Sequence, residues 1–242
     1  MTTTTASPLP PSSAEIEQGV ALWKRKQVSG MVMLAALLFL GAGTLNWPQG
    51  WLYVVLYALS IIAQAVILLP RSPGLLAERS KLQPGTKRWD VLLTTTGLGL
   101  ATMAALVVAG LDFRNGWTGP LPLWTLVLAV VVTGIGWVLV VWSMAVNAFF
   151  SATVRLQTDR NQVVVSDGPY QYVRHPGYVG AILTNLATSF VLGSLWALIP
   201  TAIVVLFFIA RTLGEDPTLQ RELPGYREYA QHVRYRLIPG VW

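Results

Sequence analysis

Residues 121–146 read LPLWTLVLAVVVTGIGWVLVVWSMAV. No charge interrupts them, and they exceed the roughly 20 residues that a helix needs to cross a bilayer. A helix that is apolar on every side is either deeply buried or faces lipid. Working outward, comparable runs occupy 29–46, 50–69, 91–111 and 178–213. The last run is too long for one ordinary span. Gly193-Ser194 lies near its middle and Pro200 follows, so it reads as two short helices joined by a tight turn; a single span with a re-entrant part is the alternative. The expected fold is all-α, a polytopic integral membrane protein of about six transmembrane helices ending in a helical hairpin.

Composition agrees. Charged residues make up 12% of the chain against 53% hydrophobic ones, and a soluble domain carries roughly 25% charged residues. The net charge of +6 reports topology rather than nucleic-acid binding. All but one of the 17 basic residues fall in four segments: Lys24–Lys26, the 70–90 loop, the 147–177 loop, and the stretch from Arg211 onward. Only Arg114 lies in the alternate loops. Basic residues favour the cytoplasmic side, which puts both termini there and requires an even number of crossings. The expected setting is a bacterial inner membrane or its equivalent.

The chain divides into a disordered, basic tail (1–28, its first 14 residues rich in Thr, Ser and Pro), a four-helix membrane region (29–146) and a polar-motif region (147–242). Trp47, Trp51, Trp117 and Trp124 read as interface anchors. Gly134 and Gly136 read as sites of close helix approach. Gln64 and Asn147 are expected to bond to a neighbouring helix. Cysteine is absent, which excludes disulfides and thiolate chemistry. With only two histidines, His175 and His232, no metal centre is expected.

Chemistry concentrates after Gln157. One feature is Gly168-Pro169-Tyr170-Gln171-Tyr172-Val173-Arg174-His175-Pro176-Gly177-Tyr178-Val179-Gly180. Its prolines push the preceding residues out of the α region, and Pro176 suits the first turn of a helix. Tyr170 and Tyr178 offer flat faces, and Gly177 and Gly180 permit close approach by a ligand or helix. The other feature is Arg211-Thr212-Leu213-Gly214-Glu215-Asp216-Pro217-Thr218-Leu219. Arg211 and Glu215 share a helical face. A plain salt bridge between them is the simplest reading, and Asp216 alone reads as part of a solvated face.

Taken together, and followed by Tyr226-Arg227-Glu228-Tyr229 and Ile238-Pro239, these segments resemble the isoprenylcysteine carboxyl methyltransferase family and the related phospholipid methyltransferases, in a bacterial-type member. The resemblance covers 157–242. It implies a pocket for S-adenosylmethionine at the cytoplasmic mouth of the last helices. By resemblance the cofactor contacts are Gln157, Gln162, Val163, Val164, Val165, Tyr170, His175, Pro176, Gly177, Tyr178 and Glu215, with Glu215 on the cofactor's amino group. Gln162 stands where the family usually has His, so it can bind but not titrate. Arg211 matches an arginine that orients the acceptor, and His175 joins it in the catalytic set. The implied acceptor is lipophilic: a prenylated cysteine carboxylate, or a lipid amine or thiol. A nicotinamide-dependent sterol-type reductase also carries an Arg-His-Pro-x-Tyr-x-Gly segment, but there an acidic residue commonly follows the glycine, and here Ala181 does. A non-enzymatic carrier or scaffold is the third reading, and it predicts no cofactor pocket.

Overall fold

A computed structural model describes residues 12–242. Helix α1 spans Ser13–Ala42. It starts at a capping box: the Glu15 N–H donates to the Ser12 hydroxyl, and the Ser12 N–H donates to the Glu15 carboxylate. Reciprocal satisfaction of two free donors fixes a helix start. Residues 13–28 are therefore helical rather than part of a tail, and the basic triplet Lys24–Lys26 rides on α1. The rest of the expected tail, residues 1–11, lies outside the described residues.

Helix α2 is Pro48–Leu68 and the short α3 is Pro73–Arg79. Next come α4 (Arg88–Val91), a π-helical turn over Leu92–Leu98, and α5 (Gly99–Asn115), which together make one continuous rod. Helix α6 is Leu123–Val146, α7 is Pro176–Val191, α8 is Leu198–Glu222 and α9 is Tyr226–His232. Among the described residues, five helical rods are long and apolar enough to cross a membrane: α1, α2, Arg88–Asn115, α6 and α8. Helix α7, at 16 residues, is about 24 Å long by its rise per residue.

The break expected within 178–213 falls between α7 and α8, where Gly193 takes a left-handed φ of 71°. The Asp112 carboxylate at the end of α5 receives the Ser194 hydroxyl and the Thr118 N–H and hydroxyl, which pins this turn. Helix α8 runs past Leu213 to Glu222, so Glu215 and Asp216 sit on its last turns.

Helix α7 lies along α6, and α5 along α1. Gly136 and Gly180 make the first crossing possible: a Cβ on either would collide with the other's carbonyl oxygen. Gly134 faces open space and takes no part. Two other expectations change. Trp47 is 1% exposed and stacks on Phe113 at 4.9 Å, so it is core rather than an anchor, whereas Trp51, Trp117 and Trp124 are exposed. Gln64 donates to the Ser60 carbonyl in its own helix, one turn back, instead of to a neighbour.

Candidate functional site

The segments carrying most of the basic residues fold together at one end of the bundle. The Lys87 N–H donates to the Val154 carbonyl, and the Val154 N–H donates to the Asp90 carboxylate, stitching the loop after α3 to the loop after α6. Arg155 bridges Glu78 and Asp159. Hydrogen bonds from Arg155 hold the Asp159 carboxyl below its usual range. Between these loops, the start of α7 and the last turns of α8 lies a cavity of about 360 Å³, within the range of small-molecule sites, roughly 300–1,000 Å³. It draws on both sides of the 146/147 boundary.

Pro176 opens α7, as the sequence predicts, and the chain before it is held by the C-terminal tail. The Arg174 and His175 N–H groups donate to the Tyr235 and Arg236 carbonyls at 2.9 and 3.0 Å. The node is Asp216, which is fully buried rather than solvated. It accepts from Arg174 Nε and a second Arg174 nitrogen at 2.7 and 3.0 Å, from Arg236 Nε at 3.0 Å and from Gln220 at 2.9 Å. The Tyr226 hydroxyl adds a bond at 3.2 Å. His175 Nε2 lies 3.5 Å from the same carboxylate, buried and without a hydrogen-bond partner among the described residues.

Arg211 and Glu215 lie one turn apart but do not pair with each other. Arg211 donates to Asp90 through Nε at 2.6 Å and Nη2 at 3.2 Å, and Nη2 also reaches the Ala152 carbonyl at 2.8 Å. Among the described residues, Glu215 receives only the Tyr178 hydroxyl. The Tyr178 ring stacks on His175 at 5.4 Å and lies 5.3 Å from the Arg211 guanidinium. Protein groups thus already pack against this ring, and its hydroxyl is the part that orients a charged group.

Of the residues singled out in the sequence, Gln162, Val163, Val164, Val165, Tyr170, His175, Gly177, Tyr178, Arg211 and Glu215 line the cavity. The 162–165 stretch carries no regular secondary structure. Gln157 and Pro176 do not line it. The Gln157 amide is spent inside the loop, donating to the Phe149 carbonyl at 2.7 Å and accepting from Arg160 at 2.6 Å, while its N–H donates to Gln162 Oε1 at 2.8 Å. Asn147 donates to the Tyr170 hydroxyl at 3.1 Å, on the short 3-10 helical turn Gly168–Gln171. The Tyr229 hydroxyl donates to the Tyr170 carbonyl at 2.7 Å. Burial pushes the phenols of Tyr170, Tyr226 and Tyr229 up, so all three stay protonated.

Sequence reasoning missed Asp90 and the cavity role of Arg79. Asp90 sits in an ordinary-looking Arg-Trp-Asp stretch whose only signal is a carboxylate next to an apolar run. Arg79 looked like one more topological charge.

Residues 124–224 match the phospholipid methyltransferase family. The chain is 29% identical over 86 residues to protein-S-isoprenylcysteine O-methyltransferase B of Arabidopsis thaliana, covering 35% of this chain and 44% of that protein. It is 33% identical over 86 residues to protein-S-isoprenylcysteine O-methyltransferase of Schizosaccharomyces pombe, covering 35% of this chain and 36% of that protein. The chain thus spans less than half the length of either relative.

Proposed function

We propose that this protein is an S-adenosylmethionine-dependent methyltransferase whose acceptor is a lipophilic carboxylate of the prenylated-cysteine type. One observation carries the reading. The other acidic groups at the cavity's edge are committed, Asp90 to Arg211 and Asp216 to Arg174 and Arg236. Glu215 lines the cavity with no basic partner among the described residues. A partly buried carboxylate without a cation is costly, and an alkylammonium is its natural complement.

The residues fit the cofactor in other respects. The buried, unpartnered His175 nitrogen offers one more polar contact. Val163, Val164 and Val165 supply apolar wall along one side. The cofactor, when bound, supplies a methyl group already activated on a sulfonium. What remains for the protein is orientation and exclusion of water, worth several kcal/mol when reacting atoms are held about 3–3.5 Å apart. An ionised carboxylate acceptor needs no general base. Arg211, held rigid by Asp90, keeps one guanidinium edge, Nη1, for that acceptor, since its other two nitrogens are engaged. Leu98, Val140, Ala181 and Phe208 add apolar lining, against which a prenyl chain coming from lipid would pack. The partition of basic residues supports a cytoplasmic side for the cavity mouth and both termini.

The test is calorimetry with S-adenosylhomocysteine on the full-length protein in nanodiscs, followed by methyl-label transfer to N-acetyl-S-farnesylcysteine. Glu215→Gln should weaken binding by about 1.5–3 kcal/mol, roughly 10- to 150-fold. His175→Ala should weaken it too. His232→Ala should not, because that ring is exposed and bonded only to the Glu228 carbonyl. Unchanged affinity in Glu215→Gln would remove the assigned role.

A further inference from the structure

We propose that Arg79 is a further anion-binding residue of this cavity, beside the Nη1 edge of Arg211, and takes the carboxylate of a bound ligand. The inference rests on the methyltransferase reading, and two sources then bring a carboxylate to the site: the aminoacyl tail of the cofactor and the acceptor itself.

Four arginines line the cavity: Arg79, Arg155, Arg174 and Arg211. Arg155 is taken by Glu78 and Asp159, Arg174 by Asp216, and Arg211 by Asp90. Arg79 has no carboxylate partner among the described residues. Its guanidinium makes one hydrogen bond, from Nη1 to the Phe150 carbonyl at 3.1 Å, and lies 5.1 Å from the Phe150 ring centroid. A guanidinium carries five N–H donors in a planar fork suited to a carboxylate, so most of this one's capacity is unspent. Burial, together with the nearby Arg211 charge, pushes its pKa down to about 10. It therefore remains a cation at neutral pH, in a place that disfavours one. An arriving anion would relieve both costs.

The complement is Glu215, the cavity's uncommitted acid. Among the described residues, Arg79 and Glu215 line one cavity without an oppositely charged protein partner, which suits a zwitterion, or an ammonium and a carboxylate brought by two ligands. Helix α3 holds Arg79 in place, because the neighbouring Leu75 and Leu76 are buried against α2 and α6 side chains. The side chain is thus pre-positioned, which lowers the ordering cost of binding.

The experiment uses the full-length protein in nanodiscs and two ligand pairs: S-adenosylhomocysteine with its decarboxylated analogue, and N-acetyl-S-farnesylcysteine with its carboxamide. The wild type should prefer the carboxylate member of at least one pair by tenfold or more. Arg79→Gln should abolish that preference while leaving affinity for the carboxylate-free member within about twofold. Arg79→Lys should retain part of it. Loss of preference in the first pair assigns the cofactor tail, and in the second pair the acceptor. A wild type without preference in either pair overturns the inference and needs no variant, so a poorly folding Arg79→Gln would not shelter it. Preference that survives in Arg79→Gln overturns it as well. A wild type that binds neither S-adenosylhomocysteine nor the acceptor brings down the methyltransferase reading and this inference with it; normal binding with an indifferent Arg79→Gln brings down the inference alone.

Discussion

Arg211 on α8 donates through Nε to Asp90 on α4 at 2.6 Å, across 121 positions of chain. Asp90 is fully buried and also accepts the Val154 N–H at 2.6 Å. One carboxylate therefore ties together α4, α8 and the loop after α6. Removing one partner of such a pair strands the other charge and costs about 3–5 kcal/mol. Asp90→Ala should destabilise the protein by about that much in detergent unfolding. The double variant Asp90→Ala/Arg211→Met should recover part of the loss. Strict additivity of the two single changes would mean that the pair is not coupled in the folded protein.

At Arg211 itself, stability and turnover separate. An ammonium cannot span both Asp90 oxygens and the Ala152 carbonyl as a planar fork does. Arg211→Lys should lower the unfolding midpoint and slow single-turnover methyl transfer, while affinity for S-adenosylhomocysteine stays near the wild-type value. Transfer at the wild-type rate would leave Arg211 a structural tie with no part in holding the acceptor.

The α6–α7 contact tests backbone closeness. A methyl group at Gly180 would meet the Gly136 carbonyl oxygen and crowd the Leu139 and Val140 side chains. Overpacking of this kind costs about 1–3 kcal/mol, so Gly180→Ala should lower stability by that order and, through the tilt of α7, weaken cofactor binding. Gly134→Ala, two residues from the contact and facing open space, should be neutral or slightly stabilising, since Ala is the better helix former by about 1 kcal/mol. Equal effects at the two glycines would contradict the packing.

Asp216 makes a different prediction, about order rather than turnover. With Asp216→Asn, Arg174 and Arg236 lose their shared counter-charge. Those contacts hold the tail against the start of α7. Limited proteolysis should then cut between Leu223 and Trp242 faster than in the wild type, under conditions where the helical bundle stays intact. A tail as resistant as before would show that the backbone bonds from Arg174 and His175 suffice.

Topology can be read without background, because the chain has no cysteine. Single cysteines at Leu82 and Glu228 should react with a membrane-impermeant maleimide only from the cytoplasmic side, and one at Gly119 only from the other. Labelling of Leu82 and Glu228 from opposite sides would reject the arrangement.

Much of this protein is decided by local composition. Apolar runs without a polar face have one stable setting, so the spanning helices and the break at Gly193-Ser194 are legible in the chain itself. Pro176 likewise sets the start of α7, although the approach to it carries a 3-10 turn over Gly168–Gln171, with Pro169 in its first turn, where the sequence suggests no helix. The order of Arg174-His175-Pro176, Glu215-Asp216 and Tyr226-Tyr229 marks where the site lies. What the chain alone left open is which charge meets which. Arg211 and Glu215 share a helical face, yet an i, i+4 pair is worth only about 0.2–0.5 kcal/mol, and a buried carboxylate arriving from elsewhere outbids it. Asp90 takes the arginine, Asp216 takes Arg174 and Arg236, and Glu215 and Arg79 are left facing the cavity. Those assignments depend on desolvation, which is set by the packing of segments far apart in sequence. Trp47 is interior for the same reason: its depth follows from where α5 places Phe113, not from its place in a loop.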